Sequence, residues 1–396
     1  MINTLLIDLD DTLLENDTQV FIPEYLKRLS QFLDPLVSAD KMTHQLYVGT
    51  QAMLANRDLE RTLEEVFAEN FFPALGIQSD VLLPHINTFY AEEFPKLKPL
   101  TACIPSAHKL IRYALENQIE VVVATNPLFP LTAIEQRLDW AGLSVEEIPF
   151  AMVTSYESFH FAKPHMEYVT EILSKLGRNP HESAMIGNDP SMDLAPAADL
   201  GLPVFHISEN PQNPYPGGSL DEAISWLREL PSIPDSSQFT TPETLLARLR
   251  GILIAYRQFQ DIAQTEPWKE KPSSDSWAPV EVLCHLRDVE QEINFPRIKK
   301  ILEEDRPFLT APDSDRWTQE RNYIDECAPD VSTELVEARK RTLELLERYP
   351  PQAWTRPARH AIFGPTQLVE IVRIFVEHDL LHIRQINESL DTTAIN

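Results

Sequence analysis

The 396-residue sequence predicts two architectures in tandem: an α/β parallel sheet carrying a helical insert, then an all-α four-helix bundle. Three observations carry this. Apolar, strand-like runs at residues 5–7, 120–123 and 184–187 each end in polar residues, with helical patterns between them. The stretch between the first two runs has helical spacing and is too long for a loop. After Thr240 the strand signals stop and four long helical patterns follow.

The first run, Leu5-Leu6-Ile7, ends in Asp8-Leu9-Asp10-Asp11-Thr12. Two carboxylates two residues apart at a strand's end point toward one site and repel, so they need a cation or a shared proton. That fits a Mg²⁺ site with one aspartate as nucleophile and the second as acid/base. Taken alone, the pair also fits a solvated acidic turn. Residues 17–95 then read as helices, with Phe21, Tyr25, Leu26 and Leu29, and later Leu59, Leu63, Val66 and Phe67, at helical spacing. A second strand begins at Glu120 and leads to Thr125-Asn126-Pro127. Lys163 follows in Phe161-Ala-Lys-Pro164, just ahead of the helical pattern of Met166, Val169, Ile172, Leu173 and Leu176. A third strand, Ala184-Met-Ile-Gly187, leads to Asn188-Asp189-Pro-Ser-Met-Asp193. Polar residues at the carboxyl ends of parallel strands converge on one crevice. Val204–Ile207 reads as a late strand, 210–218 as a loop, Leu220 to Leu230 as a short helix and 231–237 as a linker. The expected organisation is a domain at 1–232 (core 1–16 and 96–232, insert about 17–95), a linker at 233–239 and a bundle at 240–396.

The ordered set of Asp8/Asp10, Thr125, Lys163 and Asp189/Asp193 resembles the motif set of the haloacid dehalogenase-like (HAD) superfamily over roughly residues 1–230. The resemblance implies a Rossmann-like α/β core with a helical cap, and a phosphoryl-transfer site. Asp8 would be the nucleophile that forms an aspartyl-phosphate, and Asp10 the general acid and later base. Thr125, Asn126 and Lys163 would bind the transferring phosphoryl group, with Lys163 also steadying Asp8. Asp8, Asp10, Asp189 and Asp193 would make the Mg²⁺ site, with Asp189 the expected direct ligand of the acidic pair. Asn188 intervenes where many relatives have Gly directly before Asp, which leaves Asp189 against Asp193 open. Asp10 and the acidic pair favour a phosphatase over a dehalogenase, and Thr12 favours it over a sugar phosphomutase. A cap that closes over its substrate implies a small phosphorylated metabolite. His44, Arg57 and Arg61 could reach a substrate from the cap but read first as exposed helix polars.

The four bundle helices are expected at about Thr241 to Ala263, Pro279 to Leu302, Thr333 to Arg348 and Pro365 to Leu390. His285 lies on the apolar stripe of the second, with Val282, Leu286 and Val289. His378 and His382 continue the stripe of Leu368, Ile371 and Phe375 on the fourth, stacked on one face. Three imidazoles in an apolar core are costly unless they share a metal. Cys284 reads as packing, and His360 as structural in a loop. Ser276-Trp277 to His285-Leu286, and Phe363-Gly-Pro365 leading to Glu377-His378-Asp379 to Gln385, resemble the DinB-like superfamily over about 240–392. That resemblance implies His285, His378 and His382 as ligands of a second divalent metal such as Zn²⁺ or Ni²⁺. The implied chemistry is thiol transfer with a low-molecular-weight thiol. The alternative is a non-catalytic interaction module, such as a homodimer interface.

The net charge is −27, with 34 acids against 14 bases in residues 1–235 and 27 against 20 in 236–396. So acidic a chain is a poor partner for nucleic acid or anionic membrane. No apolar run is long enough to span a bilayer, and the N-terminus lacks a basic leader. Three widely spaced cysteines form no disulfide or metal pattern. A cytoplasmic protein is expected.

Overall fold

The computed structural model describes residues 2–209, 214–230, 239–265 and 267–394. The expected linker, apart from Phe239, and part of the 210–218 loop lie outside the described residues. The chain divides into two compact units, Met1–Tyr168 with Pro180–Pro234, and Val169–Asn179 with Asp235–Asn396. The expected first domain therefore differs at 169–179, which belongs with the second unit. Val169, Ile172 and Leu173 signal burial in the sequence, but apolar spacing does not say which core buries them.

The first unit is built on six parallel strands: β1 (Thr4–Ile7), β2 (Glu120–Val123), β3 (Met152–Val153), β4 (Ser183–Gly187), β5 (Val204–Ile207) and β6 (Gly217–Gly218). Their order is β3-β2-β1-β4-β5-β6, and every pairing is parallel. All carboxyl ends thus lie along one edge. β1 is the pivot, with Thr4 opposite both Glu120 and Ser183. It is buried throughout, as its uninterrupted apolar run requires of a central parallel strand.

The insert forms four helices, Thr18–Leu33, Ala39–Ala55, Leu63–Leu75 and Ser79–Glu92. Asp17 caps the first by accepting from the Gln19 N–H. Thr62 and Glu65 make a reciprocal capping box on the third, which Gly76 ends at φ 72°. At the root of the insert, Leu14–Glu15 pairs antiparallel with Ala102–Cys103. The apolar core continues from Leu5 and Ile7 into Phe21, Leu29, Phe89 and Phe94 of the insert.

In the second unit the long helices are Pro242–Ile262, Pro279–Val289 continuing to Phe295–Glu303, Ala328–Glu347 and Leu368–Ala394. The first and second each pack on both the third and the fourth. Three features differ from expectation. The second helix is interrupted by a wide π-type turn at Glu290–Asn294, just before Pro296, which has no N–H to bond back to the preceding turn. The third starts earlier because Pro329 stands in its first turn, where a proline is tolerated. The fourth starts at Leu368, because Gly364–Gln367 instead joins Pro357–His360 and Phe308–Leu309 in a small sheet. His360 is therefore a strand residue. Its Nδ1 accepts from the Ile362 and Phe363 N–H groups at 3.2 and 3.4 Å.

Candidate functional site

The carboxyl edge of the sheet gathers most of the chemistry-bearing residues of the first unit. Asp8 is the first residue past β1, fixed by its own N–H donating to the Ile186 carbonyl at 3.0 Å. Its carboxylate is almost fully buried. Oδ1 accepts from Lys163 Nζ at 2.6 Å, and Oδ2 from the Thr12 hydroxyl at 3.4 Å. Lys163, itself buried, also donates to Asp193 Oδ1 at 2.5 Å. One ammonium thus serves two carboxylates, and a negative charge is left over. Burial accordingly lifts the Asp8 carboxyl to about 7. Lys163 opposes the shift, and Asp193 and Asp10 add to it. Burial alone would lower the Lys163 pKa, but Asp193 and Asp8 outweigh it and push it up.

The loop after Asp8 turns sharply. Leu9 O accepts from the N–H groups of Leu13 and Leu14, and Asp11 takes a left-handed φ of 55°. Asp10 is thereby aimed at two partners, Arg137 Nη1 at 2.6 Å on Oδ2 and Asn16 Nδ2 at 2.7 Å on Oδ1. On the neighbouring loop, the Thr125 carbonyl accepts from the Thr154 and Tyr168 hydroxyls at 2.8 and 2.7 Å. Asn126 Oδ1 accepts from the Lys163 N–H at 3.2 Å.

Asp189 and Asp193 have different surroundings. Asp193 is buried and uses both oxygens, Oδ1 on Lys163 and Oδ2 on the Asp189 N–H at 3.1 Å. Asp189 caps the π-type turn Pro190–Leu194, and its three bonds, from Ser191 N, Ser191 Oγ and Met192 N, all fall on Oδ1. Those donors, the Ser191 hydroxyl foremost, pull its pKa down against burial. Gly187 is required here: a Cβ would lie 2.3 Å from Asp193 Oδ2. The structure joins Asp8, Lys163 and Asp193 by direct contact. It does not draw the four aspartates together at ligand spacing. Among the described residues the one group of three metal-ligating side chains that close is in the bundle. The Asp8 site still suits a cation, since its carboxylates exceed what Lys163 neutralises.

That bundle group is His285, His378 and His382, with one ligand atom from each all within 4.8 Å of one another. His285 Nε2 lies 3.2 Å from His378 Nε2. His382 Nδ1 bonds Gln385 Oε1 at 2.9 Å, which fixes the ring and leaves Nε2 as its acceptor. The Trp277 ring stacks on His382, 5° from parallel. Burial first, then His382 and His378, holds the His285 pKa down to about 3, and burial with His378 holds His382 down to about 4. An imidazole kept neutral, as His285 and His382 are, is the state that a divalent metal binds. Behind them, buried Arg339 joins Glu290 of the π-type turn to Asp379, at 2.7 Å on each side. Asp379 Oδ1 is 3.7 Å from His378 Nδ1. Cys284 is buried, and desolvation pushes its thiol up to about 12, so it packs rather than reacts.

Residues 2–201, half of the chain, match the family model described as haloacid dehalogenase-like hydrolase. The chain belongs to the haloacid dehalogenase-like hydrolase family. Residues 240–386 match the model of the DinB superfamily. No curated protein matches the chain. Similar solved structures include a HAD phosphatase from Thermococcus onnurineus, at 18% identity over 57% of this chain and 98% of that one, TM-score 0.38. They also include the putative HAD-hydrolase YfnB from Bacillus subtilis, at 22% over 57% and 99%, TM-score 0.37. Another is YfiT from Bacillus subtilis, described as a probable metal-dependent hydrolase with an unusual four-helix bundle topology, at 19% over 40% and 90%, TM-score 0.34.

In this haloacid dehalogenase-like chain, sequence reasoning missed Arg137 and Asn16 at Asp10, and Arg339 and Gln385 around the histidines. Arg137 carried no signal, because one arginine on a short amphipathic helix reads as a surface charge. Asn16 could have been noticed, since it closes the same loop as Asp10. Of the exposed polars in the cap, Arg61 is taken up by Asp58 and Glu69, and Arg57 lies 2.7 Å from His165 Nδ1.

Proposed function

We propose that the first unit is a Mg²⁺-dependent phosphatase acting on a small phosphate monoester through an aspartyl-phosphate. The observation that carries this is Lys163 shared between buried Asp8 and Asp193 at the carboxyl edge of the sheet. Phosphoryl transfer needs positioning and charge neutralisation more than covalent machinery. Asp8 attacks phosphorus; the ester P–O bond breaks, and the leaving oxygen takes a proton from Asp10. Water then attacks the phosphoryl group, giving its proton to Asp10, and Asp8 departs as a carboxylate. Thr125, Asn126 and Lys163 steady the phosphoryl oxygens. Asp10 paired with Arg137 is an acceptor, so it must leave that partner to become a donor, a step that cap closure can supply. Asp189, whose cap bonds fall on one oxygen, is favoured over Asp193 as a ligand beside Asp8 and Asp10. The ion's contribution when bound is to offset charge on the transferring group. The test is phosphate release from a panel of monoesters with Mg²⁺ and with EDTA. Mg²⁺-dependent release that Asp8→Asn abolishes is expected; release retained in Asp8→Asn would overturn the mechanism.

A second reading rests on the histidine cluster. The bundle would hold a divalent metal such as Zn²⁺ or Ni²⁺ through His285, His378 and His382, whose open position would activate water or a small thiol. Elemental analysis of purified protein tests it: a metal-free wild type from metal-supplemented growth rejects it.

A further inference from the structure

The insert contains a large cavity that the proposed phosphatase chemistry does not use. Its volume is about 1150 Å³, above the ~300–1,000 Å³ usual for small-molecule sites. Its walls are aliphatic and aromatic, Leu29, Leu33, Met42, Phe71 and Ile77 among them. The two buried hydroxyls on the wall, Tyr25 and Tyr90, bond each other at 2.9 Å, so they make no demand on an occupant. The cavity is open to solvent on part of its rim, and apolar walls of this extent favour an apolar occupant over water.

Two observations connect the cavity to the Asp8 site. Its wall includes Leu128, Phe129 and Pro130, which follow Thr125 and Asn126 in the chain after Pro127. At roughly 3.5 Å per residue, Leu128 lies no more than about 10 Å from Thr125. Phe129 also carries the Arg137 guanidinium 4.9 Å from its ring centre, and Arg137 is the partner of Asp10. The acidic residues on the wall, Glu64, Glu65 and Glu69, belong to the third insert helix.

We infer that the cavity holds the apolar part of the substrate, so that the hydrolysed ester is an amphiphile, a phosphate monoester of a long-chain aliphatic alcohol. This rests on the phosphatase reading and narrows its substrate class.

The test uses the full-length protein and n-alkyl phosphates from methyl to dodecyl, each below its micellar concentration. Each methylene that enters the cavity should raise kcat/KM up to about fourfold. Ala68→Trp, which places an indole in the cavity, should flatten the series while leaving methyl phosphate unaffected. In parallel, dodecyl phosphate should displace the neutral dye N-phenyl-1-naphthylamine from wild type, and Ala68→Trp should bind the dye at least tenfold more weakly. Hydrolysis that is flat with chain length overturns the inference and leaves the phosphatase standing. Should no alkyl phosphate be hydrolysed while another monoester is, the inference falls and the phosphatase stands; should no monoester of any kind be hydrolysed, the phosphatase reading falls, and the dye decides the cavity: displacement lost in Ala68→Trp supports it. No displacement from wild type overturns it.

Discussion

Replacing Asp8 with Asn should stabilise the first unit in the absence of Mg²⁺, by an amount that grows with pH. The Asp8 carboxyl has an ordinary value of 3.8 and is lifted to about 7 in the folded chain. A raised acid favours the fold fully below the unfolded value. That contribution is lost as pH climbs through the folded value, because the folded chain must then carry the buried charge. At about 1.4 kcal/mol per unit, three units amount to roughly 4 kcal/mol at pH 8. Some of this, roughly 2 kcal/mol, is already spent at pH 5, so the interval from pH 5 to 8 isolates about 2–3 kcal/mol. For a unit of this size, that widens the melting-temperature gap between Asp8→Asn and wild type by about 5–10 °C. The assay is thermal unfolding in EDTA at pH 5, 6.5 and 8, followed by the same series in Mg²⁺. The metal should close the gap at pH 8, since a cation supplies the missing compensation. A gap that stays constant from pH 5 to 8, or a variant less stable than wild type at pH 8, would refute the argument that Asp8 carries an uncompensated charge.

Three other perturbations follow from the same contacts. Arg137→Met should keep the bulk on the short helix and release Asp10 from the partner it must leave to donate, so kcat should hold or rise with little change in KM; a kcat lowered by about 10²-fold would show that the pair instead positions Asp10 for proton transfer. Gly187→Ala should push Asp193 off Lys163, cost roughly 1–3 kcal/mol in a melt and lower kcat at least about tenfold; wild-type turnover would show that Asp193 is dispensable. His378→Ala should lose the bundle metal by elemental analysis while Asp8→Asn keeps it. Metal present at a hundred times its Kd should raise wild-type stability by about 2.7 kcal/mol and leave His378→Ala unmoved.

What the sequence made legible was placed by strand ends. Asp8, Thr125, Lys163 and Asp193 follow apolar runs or open a helix, and a parallel sheet must bring such ends to one edge. The histidines were legible for a parallel reason, since His378 and His382 share a helix face by spacing alone. The groups that hold these residues were not. Arg137 reaches Asp10 across 127 positions, and Arg339 bridges two helices from the middle of a third. Neither has a local pattern, because a charge becomes buried only once its partner's position is fixed by packing. The small sheet at 357–367 escaped for another reason: Pro357, Arg359 and Pro365 contradict strand composition, and pairing with Phe308–Leu309 supplies what composition lacks.

The two-residue ribbon of Leu14–Glu15 and Ala102–Cys103 has an evolutionary consequence. It pins the departure and the return of the inserted chain side by side, so to the sheet the whole helical block is one closed loop. Lengthening such a loop costs only in proportion to the logarithm of its length. Apart from Phe21, Leu29, Phe89 and Phe94, which share the apolar core of the sheet, the block can be rewritten with little penalty to the strands beneath it. Asp8, Thr125, Lys163 and Asp193 all lie outside the pinned segment. A lineage can therefore change what is held above the sheet while the reaction at its edge stays the same.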